Sequence, residues 1–207
     1  MADRIAASAK LARRSPADVT LIAVSKTRPV EQIEPLIAAG QRDFGESRVQ
    51  EATAKWLTLR AAHPDIRLHM IGRLQSNKAP EAVALFDAIH SLDRLSLLDA
   101  LSDAATKANR FPVCFVQVNV GEEAQKGGIA PADLGAFLGR VRASPLPLAG
   151  LMCIPPAELE PAPFFAFLSE LARRHDVTGL SMGMSADYEI AVNLGATHVR
   201  VGSALFD

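Results

Sequence analysis

Leu21-Ile22-Ala23-Val24-Ser25-Lys26-Thr27 is a mostly apolar run that meets a lysine, with Arg28-Pro29 just beyond it. An apolar run of this length closed by a breaker reads as a buried strand, over about residues 19–25. Side chains alternate across a strand, so Lys26 shares a face with Val24 and Ile22. Desolvation at the mouth of a buried strand disfavours an ammonium group, and a neutral amine is what condenses with an aldehyde. The plainer reading is a strand-end lysine whose flexible stem reaches solvent. What separates the two is whether the rest of the chain supplies a ligand for Lys26.

Runs of the same kind recur at 42–44, 67–71, 86–90, 113–120, 146–152, 177–180 and 198–201. Between them the apolar period changes to that of a helix. Val30, Ile33 and Ile37 are stopped by Gly40; Val49, Ala52, Trp56 and Leu59 share a face, as do Leu95, Leu98, Leu101 and Ala105. A helix over 3–13 precedes the first strand, and 202–206 reads as a short terminal helix. Asn77 reads as the cap of a helix reaching Leu85, and Ser185 as the cap of one reaching Leu194. Eight strands alternating with helices imply a parallel sheet, and eight units without a linker predict a single α/β domain over 1–207, a closed (β/α)8 TIM-type barrel.

Composition narrows the function classes. The 207 residues carry 22 Lys plus Arg against 23 Asp plus Glu, a balance that offers nothing to nucleic acid or an anionic membrane. No apolar run is long enough to span a bilayer, and the first residues lack a signal-peptide core. Cys114 and Cys153 form no CxxC pair, which predicts a reducing, cytoplasmic setting. The five histidines show no metal spacing and read as ordinary surface or strand residues; no metal is expected.

Barrel enzymes place their sites at the C-terminal ends of the strands, with phosphate often bound after strands seven and eight. Those loops hold Ser181-Met182-Gly183 and Gly202-Ser203 here. Glycine lets backbone N–H groups approach an anion, the two serines add hydroxyl donors, and the terminal helix points its positive end there. Arg200 alternates with Val199 and Val201, so it points into the barrel if the valines face the helices. It stays charged and needs an acceptor. Closure sets strand eight beside strand one, bringing Lys26 to Arg200, Gly202 and Ser203. An amine beside a phosphate cup suits a phosphorylated aldehyde. Pyridoxal 5′-phosphate and a class I aldolase intermediate on a sugar phosphate both satisfy that description.

Leu21–Thr27 with Arg28-Pro29, Phe44-Gly45-Glu46, Val49-Gln50-Glu51, Ile71-Gly72 with Leu74–Lys78, Gly150-Leu151-Met152, Leu180–Ser185 and Val199–Gly202 together resemble the pyridoxal phosphate homeostasis protein family. The resemblance spans nearly the whole chain. It implies a barrel like the alanine racemase N-terminal domain, with pyridoxal 5′-phosphate as a Schiff base on Lys26. It places Ser47, Asn77, Ser181, Gly183, Arg200, Gly202 and Ser203 around the cofactor. Ser47 stands where the family has Asn, which shortens that side chain's reach. Lys126 matches a lysine proposed as a secondary cofactor contact, although a solvated loop lysine is its plainer role.

The resemblance implies a cofactor carrier or regulator without an established reaction, not an enzyme. Related racemases use a tyrosine from a second domain, across a dimer, as the second acid/base. Tyr188 is the one tyrosine here and reads as part of a surface helix. A monomer is therefore expected, with pyridoxal phosphate, amino acids and cofactor-free pyridoxal enzymes as partners. A weak amino-acid racemase is the enzymatic alternative, and a sugar-phosphate aldolase the other.

Overall fold

The computed structural model describes residues 1–123 and 125–206. Its eight strands are β1 (Thr20–Val24), β2 (Asp43–Glu46), β3 (Arg67–Met70), β4 (Ala88–Leu92), β5 (Val113–Gln117), β6 (Leu148–Met152), β7 (Gly179–Ser181) and β8 (His198–Val201). They close in chain order, all parallel, and β8 returns to β1 with Ile22 opposite Arg200 and Ala23 opposite Val201. The alternation of apolar strands and amphipathic helices admits this ring because each strand buries both faces.

The helical layer comprises α1 (Ala2–Leu11), α2 (Val30–Ala38), α3 (Val49–Ala62), α4 (Ala79–Leu85), α5 (Leu95–Ala108), α6 (Leu134–Arg142), α7 (Ala162–Arg174), α8 (Tyr188–Asn193) and the short α9 (Ser203–Phe206). The predicted α3 face, Val49, Ala52, Trp56 and Leu59, is buried; in α5 Leu98, Leu101 and Ala105 are buried, whereas Leu95, at the first position of the helix, is exposed. Asn109 ends α5 in the left-handed conformation that favours Asn or Gly at this place. Trp56 is fully buried, with its ring 4.9 Å from that of Phe44, and Trp56→Ala would cost about 3–5 kcal/mol.

Two glycines make the β6–β7 seam. Gly150 pairs with Gly179, and a Cβ on Gly150 would lie 2.3 Å from the Gly179 carbonyl oxygen and 2.7 Å from the Phe115 ring. Phe115 fills the space the glycines vacate and stacks on His90 at 4.2 Å.

Local details differ from the sequence reading for identifiable reasons. β1 ends at Val24, leaving Lys26 beyond the strand and exposed rather than buried at its mouth. Asn77 lies inside a 3-10 turn, Ser76–Lys78, and caps nothing; Lys78 stands at the α4 N-terminus without a side-chain cap. The helix expected from Ser185 starts at Tyr188, and the Ser185 hydroxyl instead accepts the Gly202 N–H at 3.3 Å. Tyr188 is buried, not on a surface helix, because α1 packs across α8. Among the described residues no helix is long and apolar enough to cross a membrane.

Candidate functional site

A cavity of about 570 Å³ opens at the C-terminal end of the barrel. Its size is that of a small-molecule site. The β8–β1 side of its wall carries Lys26, Arg200, Gly202 and Ser203, and Ser47 joins them from the loop after β2. Three further expected residues lie elsewhere. Ser181 is fully buried behind Arg200. Gly183 lies outside the cavity wall; its carbonyl accepts the Arg200 backbone N–H at 2.9 Å, and its φ of +91° suits glycine. Asn77 is exposed in its turn, away from the wall.

The opposite wall was not read from the sequence. Arg73 follows β3, Asp93 follows β4 and Gln117 ends β5. Ile154 and Met184 form part of the rim. The signal that would have found Arg73, Asp93 and Gln117 is their position at C-terminal strand ends. Gly72 lets the loops after β2 and β3 close up, since a Cβ there would lie 2.3 Å from the Ser47 carbonyl oxygen.

Charge around the cavity favours an anion. Among the described residues, Lys26, Arg28, Arg73 and Arg200 line it with one acidic residue, Asp93, which Arg94 already neutralises at 2.5 Å. Among the described residues, no hydrogen bond or ion pair engages the Lys26 amine. Lys126 is not simply solvated: it pairs with Glu123 at 2.6 Å and donates to the Pro155 carbonyl at 3.3 Å.

Arg200 is held from within the barrel. Its Nη1 donates to Ser181 Oγ at 2.7 Å and its Nη2 to the Cys153 carbonyl at 2.9 Å. Burial pulls its pKa downward, yet an arginine stays charged. Beneath it lies a chain of hydrogen bonds: Ser181 Oγ to His90 Nδ1 at 2.8 Å, His90 Nε2 to His69 Nδ1 at 3.0 Å, and His69 Nε2 to Asp43 Oδ1 at 2.9 Å.

The donors at the two ends assign the protons between them. Arg200 can only donate, so the Ser181 hydroxyl gives its own proton to His90 Nδ1. His90 then carries its proton on Nε2 and passes a bond to His69, which donates to the carboxylate. Burial first, and then the Arg200 charge beside it, push the His90 pKa well down and keep it neutral. Burial alone would raise the Asp43 carboxyl; hydrogen bonds from His69 and Arg67 outweigh that and hold it below its ordinary value. The Arg200 guanidinium is thus tied to a counter-charge at the far end of the barrel through the imidazoles of His90 and His69. Burial raises both cysteine thiols to about 12, so neither is a nucleophile at neutral pH.

Comparisons with known proteins bear on this geometry. Residues 2–207 match the family described as alanine racemase, N-terminal domain. The chain is 44% identical to a pyridoxal phosphate homeostasis protein of Pseudomonas aeruginosa over 213 aligned residues, covering all of this chain and 91% of that one. The chain belongs to the pyridoxal phosphate homeostasis protein family.

A solved structure, PipY of Synechococcus elongatus with PLP bound, superposes with a TM-score of 0.85 at 42% identity, over 100% of this chain and 99% of that one. An alanine racemase of Clostridium difficile shares the fold at 15% identity and a TM-score of 0.73, with 98% of this chain covering 56% of the racemase chain. This chain therefore shares its fold with just over half of that racemase chain.

Proposed function

We propose that this chain binds pyridoxal 5′-phosphate as a Schiff base on Lys26 and serves as an intracellular carrier or regulator of that cofactor. The observation that carries the reading is the pairing, on one cavity wall, of an exposed Lys26 amine with a buried Arg200, neither of which meets a carboxylate among the described residues. The PLP-bound PipY structure supports the choice of aldehyde.

The residues present fit such a group. Gly202 borders the cavity without a left-handed φ, and a Cβ there would meet nothing closer than Val24 Cβ at 3.4 Å. No crowding within the protein demands glycine at 202, so the bare backbone serves what fills the cavity. Gly202 and Ser203 would hold the phosphate, Arg200 would face the ring, and Ser47 would border it. Ser181 and Gly183 would act from behind, by fixing Arg200 and its strand. When bound, the cofactor supplies an aldehyde that condenses with a primary amine.

A holder is favoured over a racemase or an aldolase by what surrounds Lys26. Among the described residues no histidine or tyrosine lines the cavity, and Tyr188 is buried under α1. A second acid/base on the far face of a bound amino acid is what racemisation requires. Two free, buried cysteines fit the reducing cytoplasm, where we place a single-domain monomer.

The purified protein incubated with pyridoxal phosphate should develop a visible absorption band. Borohydride should abolish the band and leave a pyridoxyl mass on the peptide containing Lys26. Lys26→Ala should lose both signals. An undiminished adduct in Lys26→Ala would place the linkage elsewhere, and Lys26-dependent turnover of an amino acid would replace the carrier reading with an enzymatic one.

A further inference from the structure

We propose that Glu51 and Lys55, on α3, clamp the Ser25–Arg28 turn in its left-handed form and thereby set the direction of Lys26. This assignment rests on the reading of Lys26 as the aldehyde-holding amine and adds the device that positions it. Neither residue lines the cavity, so both are positioning residues.

The turn itself needs support. The Arg28 N–H donates to the Ser25 carbonyl at 3.1 Å, which closes a β-turn with Lys26 and Thr27 at its centre. Thr27 has φ +62°, and Lys26 is not among the positive-φ residues. Positive φ at the second central position alone is the type II arrangement, whose natural occupants there are Gly and Asn. A β-branched residue in that conformation is an outlier, and it persists only where its surroundings over-determine it.

The surroundings do so on both sides of Lys26. Lys55 Nζ, with a side chain only 9% exposed, donates to the Ser25 carbonyl at 2.8 Å, to Glu46 Oε1 at 3.0 Å and to Glu51 Oε1 at 3.2 Å. Three acceptors occupy its three protons, so Lys55 is tied up structurally rather than offered to a ligand. Ser25 Oγ donates to the same Glu46 oxygen at 2.7 Å, as does Trp56 Nε1 at 2.8 Å. On the other side of Lys26, the Thr27 N–H donates to Glu51 Oε1 at 2.5 Å.

The residue before Lys26 is thus pinned through its carbonyl and hydroxyl, and the residue after it through its N–H. The Lys26 side chain alone is left unheld. If Glu51 is lost, Thr27 relaxes toward negative φ, the turn opens and Lys26 no longer points into the cavity.

The design that tests this uses Thr27→Gly as a rescue, because glycine adopts the left-handed conformation without the clamp. In cofactor-free protein, amide hydrogen exchange at Arg28 reports the turn. Titration with pyridoxal phosphate, followed by absorbance, reports the consequence. Glu51→Ala should speed Arg28 exchange and weaken cofactor binding, each about tenfold. Glu51→Gln keeps a carbonyl acceptor for Thr27 and should retain most of the wild-type behaviour. Adding Thr27→Gly to Glu51→Ala should restore both readouts.

Lys55→Met strands buried Glu46 and risks failing to fold, which is why the test rests on partly exposed Glu51. Unchanged Arg28 exchange in Glu51→Ala would overturn the clamp. So would a loss of binding that Thr27→Gly does not repair. The exchange readout needs no cofactor, so wild-type protein that forms no adduct at Lys26 would sink the functional reading while Arg28 exchange still judged the clamp.

Discussion

Cofactor-free protein should lose at least about 3 kcal/mol of stability as the pH falls from 6.5 to 4, the amount that His198 contributes by itself. Burial, with the nearby Arg67 and Arg200 charges, lowers its pKa to about 4, although Asp43 works in the opposite sense. In the unfolded chain a histidine takes its proton near pH 6.5. The depressed native value therefore means a contribution fully present above 6.5 and lost as the pH falls through 4. His90, fully buried and pushed down by the same causes, adds to the loss in the same direction. Asp43 extends it below its ordinary value of 3.8, since its native carboxyl is held lower by His69 and Arg67. Urea midpoints collected across this range would show the slope, and His198→Gln should flatten it. A curve level between pH 7 and 4.5 would mean that the barrel interior is not the desolvated histidine cluster described above.

The second large effect is purely steric. Gly150→Ala should destabilise the barrel by about 3 kcal/mol and lower its thermal midpoint by about 6–12 °C. The added methyl would meet the Gly179 carbonyl oxygen at 2.3 Å and the Phe115 ring at 2.7 Å. The carbonyl belongs to the neighbouring strand and cannot swing away. Phe115 is itself stacked on His90, so moving it disturbs the chain that holds Arg200. Gly139→Ala is the matched control, because nothing lies within 4 Å of its added Cβ. It should leave the midpoint unchanged or raise it, as Ala is the better helix former. If the Gly150 and Gly139 variants melted together, the seam would not be under the constraint assigned to it.

The barrel was legible because its signals are local. Apolar runs and helix-period faces could be counted, and each needed only its own neighbours in the chain. The parity of Arg200 against Val199 and Val201 placed it inside, where it is 4% exposed. The apolar run that meets Lys26, and the rule that phosphate sits after strands seven and eight, pointed to Lys26 and Ser203, which line one cavity. The contacts that are not legible in sequence join elements far apart in the chain.

His69 and His90 look like ordinary strand residues in sequence. Their partners come from β2 and β7, so no window along the chain contains the hydrogen-bond chain. Lys55 and Glu51 look like a solvated i,i+4 pair on a helix. Only the packing of α3 behind the β1 turn reveals what they hold. Tyr188 was placed on a surface helix because the first turn of α8 gives no hint that α1 lies over it.

The meeting of β8 with β1 has a consequence for how the protein is made. Lys26 sits in the first βα unit and Arg200 in the last, and only the final pairing of the ring unites them. A chain arrested with seven strands assembled would own nearly all of its hydrophobic interior and none of its ligand affinity. Non-local pairings of this kind form slowly. A ligand bound across the seam stabilises the completed ring alone, by mass action. The colour of the proposed Lys26 adduct would then serve as a census of finished barrels, blind to every misassembled or half-built one.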